Sequence, residues 1–495
     1  MARRKLTEGE RWQIVGMVRG GISYRRVAPR FNVSVSVLSR ARMIPSMLEN
    51  VKGHVDHRRP LKRGQTPLQR LGSEMVHSVH NRRRGSHLTD PPIHKKHKHG
   101  FQYLGAVKLL LTASLTALLA FGLFQYMDTR VPEGVTEVWS ARILDTALRT
   151  NGKIVLGVQK YFGVHGGVTW WTRKMLDILV SALITGRPFG LADDHHLRIS
   201  DTVYDGVGVR VYEPTNLHGD RRPVLLYFHG GGWSWLSIDV YEPAARELAK
   251  QVNMVVVSVA YRQSPEHAHP KAFDDCLKVT EYTINNAKKL RIDPSRVAIS
   301  GDNAGGQLTA AVALRMKKKI KLQILIYPCI QLFDLQTPSY IENIEYIPGI
   351  LNDVSMLSYW LSYANISYDH KPQFYANEHT SPQLKKSKYA SYMDPKLYMN
   401  QYIRTEHLRN MKKPTDFGNE ELSKNIESTI LDPFFAPLMA SDEDHKGLPL
   451  TYVLTAGYDV LREDGLIYVN RLRKVGTDVH LAHYNDGFHG VIFFL

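Results

Sequence analysis

One stretch of the chain places an amide where acyl-transfer chemistry needs a hydroxyl. Residues 297–306 read V-A-I-S-G-D-N-A-G-G, which predicts a strand, a sharp turn between glycines and the start of a helix. The nucleophile elbow has this form, with a serine at the third position of G-x-S-x-G, and here that position holds Asn303. Asparagine tolerates the positive φ of such a turn, but a neutral carboxamide is not a nucleophile. We therefore expect the elbow to form without its attacking group.

The two partners of such a nucleophile stand farther along the chain. Asp459 lies in A-G-Y-D-V-L and His489 in D-G-F-H-G, so the elbow, the acid and the histidine follow the order Ser–Asp–His. In acyl transfer the histidine takes the proton of the nucleophile, and the aspartate orients the histidine. The sequence therefore predicts that His489 is the general base and that Asp459 is the orienting acid.

A glycine-rich segment predicts an oxyanion hole. An apolar run leads into His229-Gly230-Gly231-Gly232, the H-G-G-G signature in which backbone N–H groups stabilise a developing oxyanion. We expect the donors to come from Gly230 and Gly231, with His229 beside them. Ala304, directly after the elbow, is expected to supply a further N–H group.

From residue 223 onward, apolar β-branched runs alternate with helical patterns. Near-continuous apolar runs of this kind predict a buried, mostly parallel sheet, so we expect a fold of the α/β class. The predicted strands are 224–228, 254–261, 297–301, 322–327, 451–456 and 479–483. Residues 130–222 are mostly helical in pattern, and residues 331–445 interrupt the alternation with a segment rich in aromatic residues.

Four stretches of the chain resemble those of one protein family. They read L-L-Y-F-H-G-G-G-W, V-S-V-A-Y-R-Q-S-P-E-H, G-D-N-A-G-G and G-Y-D-V-L-R-E-D-G-L-I-Y-V-N-R-L-R-K-V-G. With them, residues 223–495 resemble the arylacetamide deacetylase and neutral cholesterol ester hydrolase group of the hormone-sensitive lipase family. A weaker likeness extends back to residue 101. The resemblance implies an α/β-hydrolase fold over residues 130–495, with a helical cap from residues 130–222 and 331–445.

The same resemblance implies a carboxylic ester or amide hydrolase that acts on lipophilic substrates and uses no cofactor. Because Asn303 stands at the nucleophile position, we expect catalysis to be impaired while Asp459 and His489 are retained. The alternative is a non-catalytic protein of the same fold that keeps its pocket for lipid binding or for contact with a partner. The sequence contains no metal-ligand spacing, phosphate loop or dinucleotide fingerprint.

Cysteine usage departs from that family. In the resembled family a cysteine follows H-G-G-G-W, and its disulfide partner lies three residues before the catalytic aspartate. Here these positions hold Ser234 and Ala456. The two cysteines of the chain, Cys276 and Cys329, fall on a helical pattern and after a predicted strand. We expect both to be buried free thiols.

The positive charge of the chain is concentrated in its first 100 residues. They carry 22 Lys and Arg against 6 Asp and Glu, a net charge of +16 out of +17 for the whole chain. Residues 1–45 have a helix-turn-helix pattern that begins with the capping box Thr7–Glu10 and resembles the DNA-binding region of mariner-like transposases. Residues 46–100 are predicted to be a disordered basic linker. Nucleic-acid binding is one hypothesis for this segment, and a transposon remnant joined to a hydrolase gene is the one we favour. We expect its charge to associate with an anionic lipid surface rather than with DNA.

A membrane anchor is predicted directly after the basic segment. Residues Leu104–Tyr126 are predominantly apolar and carry a single charge, Lys108, near the start, and about 20 apolar residues suffice to cross a bilayer. The basic flank on the N-terminal side predicts that this side is cytoplasmic. The resemblance implies the same arrangement: a single-pass type II signal anchor in the endoplasmic reticulum with the C-terminal domain in the lumen. On that side, Asn365-Ile366-Ser367 is a sequon for N-glycosylation.

Overall fold

The computed structural model describes residues 98–132, 135, 138–162, 170–185, 194–347, 350–397, 403 and 414–494. The described residues fall into two units, one that contains residues 98–126 and one that contains the described residues from 127 onward. The predicted helix-turn-helix over residues 1–45 and nearly all of the predicted linker over residues 46–100 lie outside the described residues. Both interpretations stay predictions.

The first described element is a long helix, α1, at Lys98–Met127. It covers the segment for which the sequence predicted a membrane span at residues 104–126. Within the described ranges, however, no helix combines the length and the apolar character that a bilayer crossing requires. The predicted span is therefore not found.

The larger unit is built on one sheet. Among the described residues the strands run in the spatial order β1-β2-β4-β3-β5-β6-β7-β8. Their bounds are β1 Leu197–Tyr204, β2 Val207–Pro214, β3 Arg222–Phe228, β4 Val255–Ala260, β5 Ile292–Asp302, β6 Leu322–Ile326, β7 Leu450–Tyr458 and β8 Val479–Phe488. From β4 to β8 all neighbouring strands are parallel. The prediction of a mostly parallel sheet is therefore confirmed, and each of the six predicted strands is present.

The edge pair β1–β2 corrects the prediction that residues 130–222 are mostly helical. Its strands pair antiparallel, and β2 also pairs antiparallel with β4. The turn between them is Asp205-Gly206, with φ of 47° and 82°. Both residues lie at positive φ, the geometry of a type I′ hairpin turn, for which Asp-Gly is a strong sequence signal. That dipeptide could have identified the hairpin from the sequence.

Helices surround the sheet and occupy the segments between strands. Before the sheet lie α2 Val138–Phe162 and α3 Trp170–Thr185. Between its strands lie α4 Glu242–Val252, α5 Lys271–Asn285, α6 Ala287–Leu290, α7 Ala304–Met316, α8 Pro338–Glu342, α9 Asp353–Ala364, α10 Lys371–Tyr375, α11 Pro382–Lys385, α12 Lys388–Tyr392, α13 Glu420–Ile430, α14 Asp442–His445 and α15 Arg462–Lys474. Short 3₁₀ turns follow at Lys317–Lys319, Tyr368–His370, Pro395–Leu397, Pro437–Met439 and Val491–Phe494.

Side chains alternate between the two faces of the sheet, and the central strands β3, β4 and β6 are buried on both faces. In β3, Val224, Leu226 and Phe228 contribute to one core, to which α5, α7 and α15 also contribute. Leu225 and Tyr227 point to the opposite core, to which residues of α2, α3 and α4 contribute. The strands β3, β5 and β7 are parallel, so their carboxyl ends lie at the same end of the sheet. The packing on both faces holds these three ends close together.

Candidate active site

Asn303 lies at the tip of the sharp turn between β5 and α7. Its backbone has φ 51° and ψ −115°, a conformation that residues with a Cβ atom rarely adopt. The turn is tight because it is flanked by glycine on both sides. A Cβ atom at Gly305 would overlap the carbonyl oxygen of Phe228, and one at Gly301 would overlap the backbone of Gly305. The strand–turn–helix geometry of an elbow is therefore present, with a carboxamide at its tip.

The structure brings together the three residues that the sequence placed far apart. The Nδ2 atom of Asn303 lies 2.9 Å from Nε2 of His489. On the other side of the ring, Nδ1 of His489 lies 3.0 Å from each carboxylate oxygen of Asp459. This is the geometry of a catalytic triad with an amide in place of the hydroxyl. Because the amide nitrogen donates to Nε2, the imidazole accepts there and donates from Nδ1 to Asp459.

Asp459 is fully buried in the loop between β7 and α15, and the loop is held by polar contacts from the segment around α8. Asn343 donates to the Asp459 carbonyl oxygen at 2.7 Å, and Ser339 donates from Oγ to the Val460 carbonyl oxygen at 2.6 Å. The backbone N–H of Leu461 donates to the Asp459 carboxylate at 2.9 Å. These contacts restrain both the main chain and the side chain of the residue that orients His489.

A buried ion cluster continues this support into α15. The guanidinium group of Arg462 has no exposed surface and pairs with Glu463 at 2.7 Å and with Glu342 at 2.9 Å. It also donates to the Gly457 carbonyl oxygen at 3.2 Å. Removal of one partner from such a buried pair leaves an uncompensated charge, which typically costs about 3–5 kcal/mol. The sequence analysis did not identify this cluster.

The oxyanion-hole prediction is corrected in one respect. The N–H group of Gly230 donates to Oδ1 of Asp302 at 3.0 Å, so it does not point into the site. The donor that does is the N–H group of Gly232, 3.2 Å from Oδ1 of Asn303. Gly231 lines the same pocket, and Ala304 is the first, fully buried residue of α7. The N–H group that faces the tip of the elbow is therefore that of the third glycine of the predicted signature, and the oxyanion hole stays a prediction.

His229 lies behind the site. Its ring is buried and stacks on Tyr261 with a centroid distance of 4.4 Å. Burial lowers the pKa of His229 to about 4, so the ring is neutral at pH 7. The hydroxyl of Tyr261 donates to the His229 carbonyl oxygen at 2.7 Å. His229 therefore stabilises the start of the glycine segment and has no contact with Asn303 among the described hydrogen bonds.

Asp302 is a second buried carboxylate that the sequence analysis did not select. It accepts hydrogen bonds from the hydroxyl groups of Tyr227 and Tyr241 at 2.9 and 2.7 Å, in addition to the bond from Gly230. Burial raises the pKa of the Asp302 carboxyl above its ordinary value. Its position directly before the elbow was visible in the sequence, but its partners are Tyr227 of β3, Gly230 after β3 and Tyr241 directly before α4.

A pocket of about 140 Å³ opens beside Asn303 and His489. Its walls are mainly apolar, and they come from α2, α3 and the segment around α9. The side chains include Leu144, Leu148, Leu176, Val180, Ile350 and Tyr359. Both segments that the sequence analysis assigned to a cap thus contribute to the pocket. Apolar walls with a few convergent polar groups are typical of small-molecule sites.

The cysteine and serine positions agree with the sequence analysis. Cys276 and Cys329 are free and buried, as predicted. At the position where the resembled family has a cysteine, the hydroxyl of Ser234 lies 3.1 Å from that of Ser264. Ser300, in the interior of β5, is also buried and does not line the pocket. No described serine therefore replaces the missing nucleophile in the pocket.

Comparison with known proteins gives the same fold. Residues 225–391 and 396–493 match the family described as alpha/beta hydrolase fold. Arylacetamide deacetylase of Bos taurus is 34% identical over 380 residues, which cover 75% of this chain and 91% of that protein. Neutral cholesterol ester hydrolase 1 of Bos taurus is 33% identical over 392 residues, which cover 77% and 92% of the two chains.

The corresponding hydrolase of Mus musculus, neutral cholesterol ester hydrolase 1, is 33% identical over 401 residues and 78% of this chain. The family match begins after the segment that resembles a transposase, so that resemblance stays a prediction. Together with the elbow and the sheet, these similarities establish the family of the larger unit. The chain belongs to the α/β-hydrolase fold family and is homologous to arylacetamide deacetylase and neutral cholesterol ester hydrolase 1.

Proposed function

We propose that this protein binds lipophilic carboxylic esters or amides in the pocket beside Asn303 and that it hydrolyses them slowly. The observation that carries the proposal is the placement of the Asn303 carboxamide between the imidazole of His489 and the N–H group of Gly232. The base and an oxyanion donor line the pocket, and the orienting acid contacts the base from its other side. The group that would attack a substrate carbonyl has been replaced by one that cannot.

The substrate class follows from the pocket and from the relatives. The walls are apolar, and the polar groups converge at one end, around Asn303. By their names, the relatives act on cholesterol esters and on arylacetamides. An apolar acyl or aryl group in the pocket would leave its carbonyl group at the polar end, beside Asn303 and His489.

The rate is expected to be low because the nucleophile is absent. In a serine protease, loss of the nucleophile lowers kcat by a factor of about 10⁶. The remaining groups still accelerate the reaction about 10³–10⁴-fold over the rate in water. We propose the same order of impairment here. A non-catalytic, lipid-binding role is the alternative that the same observation favours, and the two differ only in whether bound ester is turned over at all.

Ligand binding can be tested with a naphthyl octanoate ester, whose fluorescence reports transfer into an apolar site. Gly152 lines the pocket, and a Cβ atom added there meets no neighbour, so Gly152→Trp places an indole in the pocket. We expect it to weaken binding by roughly tenfold or more, equivalent to about 1.4 kcal/mol. Ile154→Trp, on the same helix but with an exposed side chain, is the matched control and is expected to bind as the wild type does.

Equal affinity in Gly152→Trp and Ile154→Trp would contradict the assignment of this pocket. Release of naphthol at a rate above that of buffer, lost in His489→Gln, would favour slow hydrolysis. Tight binding without release would favour the non-catalytic alternative.

We also propose that the larger unit lies in the lumen of the endoplasmic reticulum and that Asn365 carries an N-linked glycan. In support, Asn365 is exposed at the C-terminus of α9, where its backbone takes the left-handed conformation. A sequon in an exposed turn is accessible to the glycosylation machinery.

A further inference from the structure

The carboxamide of Asn303 occupies its site as a bound amide substrate would. Its carbonyl oxygen accepts from the Gly232 N–H at 3.2 Å, and its nitrogen lies 2.9 Å from Nε2 of His489. If the amide were flipped, its NH₂ group would face the Gly232 N–H, and two donors would meet. The backbone N–H therefore determines that the amide oxygen faces Gly232 and the amide nitrogen faces His489. The oxygen therefore lies at the oxyanion donor, and the leaving nitrogen lies at the general base.

From this placement we propose that Asn303 is the substrate of its own site. Water attacks Cγ of Asn303, His489 takes a proton from that water, and the side chain is hydrolysed to aspartate with release of ammonia. One C–O bond forms and the Cγ–Nδ2 bond breaks. The reaction consumes one water molecule and needs no oxidant, reductant or second substrate. Asn303 is thus a site of self-catalysed deamidation.

The proton path follows the two hydrogen bonds of the imidazole. The ring donates from Nδ1 to Asp459, at 3.0 Å from each oxygen, so Nε2 is the basic atom. Nε2 takes the proton of the attacking water once its hydrogen bond from Nδ2 opens. Attack on Cγ makes Nδ2 an amine with a free lone pair, and the proton on Nε2 then lies within reach of this nitrogen, which must be protonated to leave as ammonia. His489 is therefore placed to act first as the base and then as the acid. Asp459 stabilises the imidazolium ion between these steps.

The negative charge that develops on Oδ1 has a stabilising partner. The Gly232 N–H already points at this oxygen, and Asn303 precedes the first turn of α7, a helix of 13 residues whose N-terminal end carries partial positive charge. Water has a route to the carbonyl carbon because Asn303 and His489 line a pocket of about 140 Å³, and a water molecule takes up about 30 Å³. The pocket thus supplies the second reactant.

The same chain contains a matched internal control, Asn377. It is also buried and at positive φ, 57°. Its oxygen also accepts from a backbone N–H, that of Leu335 at 3.2 Å. Its nitrogen, however, faces the carboxylate of Asp334 at 3.2 Å and no imidazole. The two asparagines therefore share burial, a positive φ and an oxygen-side donor, and they differ in the base and in access to the pocket, which Asn303 lines and Asn377 does not.

The inference rests on the catalytic groups of the proposed function but requires no external substrate. It can be tested by incubating the full-length protein in ¹⁸O-labelled water and analysing its peptides by mass spectrometry over time. We expect conversion of Asn303 to aspartate with one ¹⁸O atom, at least roughly 100-fold faster than conversion of Asn377, as general acid–base catalysis supplies. His489→Gln and Asp459→Asn should remove most of this difference, provided that thermal unfolding shows both variants to be folded.

The chemistry of the product separates the proposed route from ordinary deamidation. Attack by the backbone nitrogen of Ala304 would pass through a cyclic imide and give a mixture of aspartate and isoaspartate, whereas attack by water gives aspartate alone. Isoaspartate at position 303, or an unchanged rate in folded His489→Gln, would overturn the inference.

An intact Asn303 in a protein whose Asn303→Ser variant reacts with a fluorophosphonate would also overturn the inference, while leaving the catalytic groups of the proposed function in place. An intact Asn303 together with an unreactive, folded Asn303→Ser variant would overturn the inference and also contradict the proposed function.

Discussion

Replacement of Asn303 by serine should restore an active hydrolase, because the substitution supplies the one group that the site lacks. The base and the acid are already in contact, with Nδ1 of His489 3.0 Å from both oxygens of Asp459. Gly232 already presents its N–H group at the tip of the elbow. The elbow itself does not depend on the side chain at its tip, since it is enforced by the close approach of Gly305 to Phe228.

The size of the effect can be worked out from the geometry. Recovery of a nucleophile is worth up to about 10⁶ in kcat. The Asn303 nitrogen lies 2.9 Å from Nε2, and a serine Oγ is one bond closer to the backbone, so it falls short by roughly one bond length, about 1.5 Å. A misplacement of about 1 Å costs roughly 10²-fold. We therefore expect Asn303→Ser to raise kcat by about 10⁴, and by more if the His489 segment moves toward the hydroxyl.

The assay is the hydrolysis of a p-nitrophenyl ester, with labelling by a fluorophosphonate as a second readout. Asn303→Ala is the matched control, since it removes the carboxamide without adding a hydroxyl, and the double variant Asn303→Ser/His489→Gln removes the base. Both controls should show neither labelling nor increased turnover. A folded Asn303→Ser protein with no labelling and with the turnover of Asn303→Ala would refute the reasoning.

Three further predictions concern stability and modification. Gly305→Ala should lower the free energy of unfolding by about 3 kcal/mol or more in a urea titration, because the added Cβ atom would overlap the Phe228 carbonyl oxygen. The control is Gly152→Ala, whose Cβ atom would meet open space on a helix. It should change the free energy of unfolding by less than about 1 kcal/mol. Protein secreted through a eukaryotic lumen should lose mass on treatment with an N-glycanase, and Asn365→Gln should not. Burial lowers the pKa of His379 to about 4, below the value of about 6.5 in the unfolded chain. The unfolded state therefore binds the extra proton as the pH falls from 6.5 to 4, and stability is lost in that window. His379→Phe should reduce the slope of unfolding free energy against pH by up to about 1.4 kcal/mol per pH unit, and an unchanged slope would contradict the assignment.

The strands from β3 to β7 could be predicted because each contains a run of mainly apolar residues that is buried on both faces. Strand β8 was predicted as well, although most of its side chains are only partly buried. The β1–β2 hairpin was missed because β1, its outer strand, is buried only at its two ends, Leu197 and Tyr204. Periodicity arises from burial, so a weakly buried edge strand has little of it. Its Asp205-Gly206 turn was the stronger signal.

The sequence by itself determined which chemical groups the site contains. It showed that the tip of the elbow is an amide, that an acid and a histidine follow in the order of a triad, and that glycines precede them. It also showed that the two expected bridge positions hold no cysteine. These conclusions need only residue identity and order, and no later folding step can add the missing hydroxyl.

Only the tertiary structure decided how those groups are used. It directed the Gly230 N–H to Asp302 and the Gly232 N–H to Asn303, a distinction that depends on backbone angles within one run of glycines. It also brought His489 to the carboxamide of Asn303 across 186 residues of chain. The direction of a hydrogen bond is determined by the packing of distant elements against one another, and a local sequence pattern does not predict that packing.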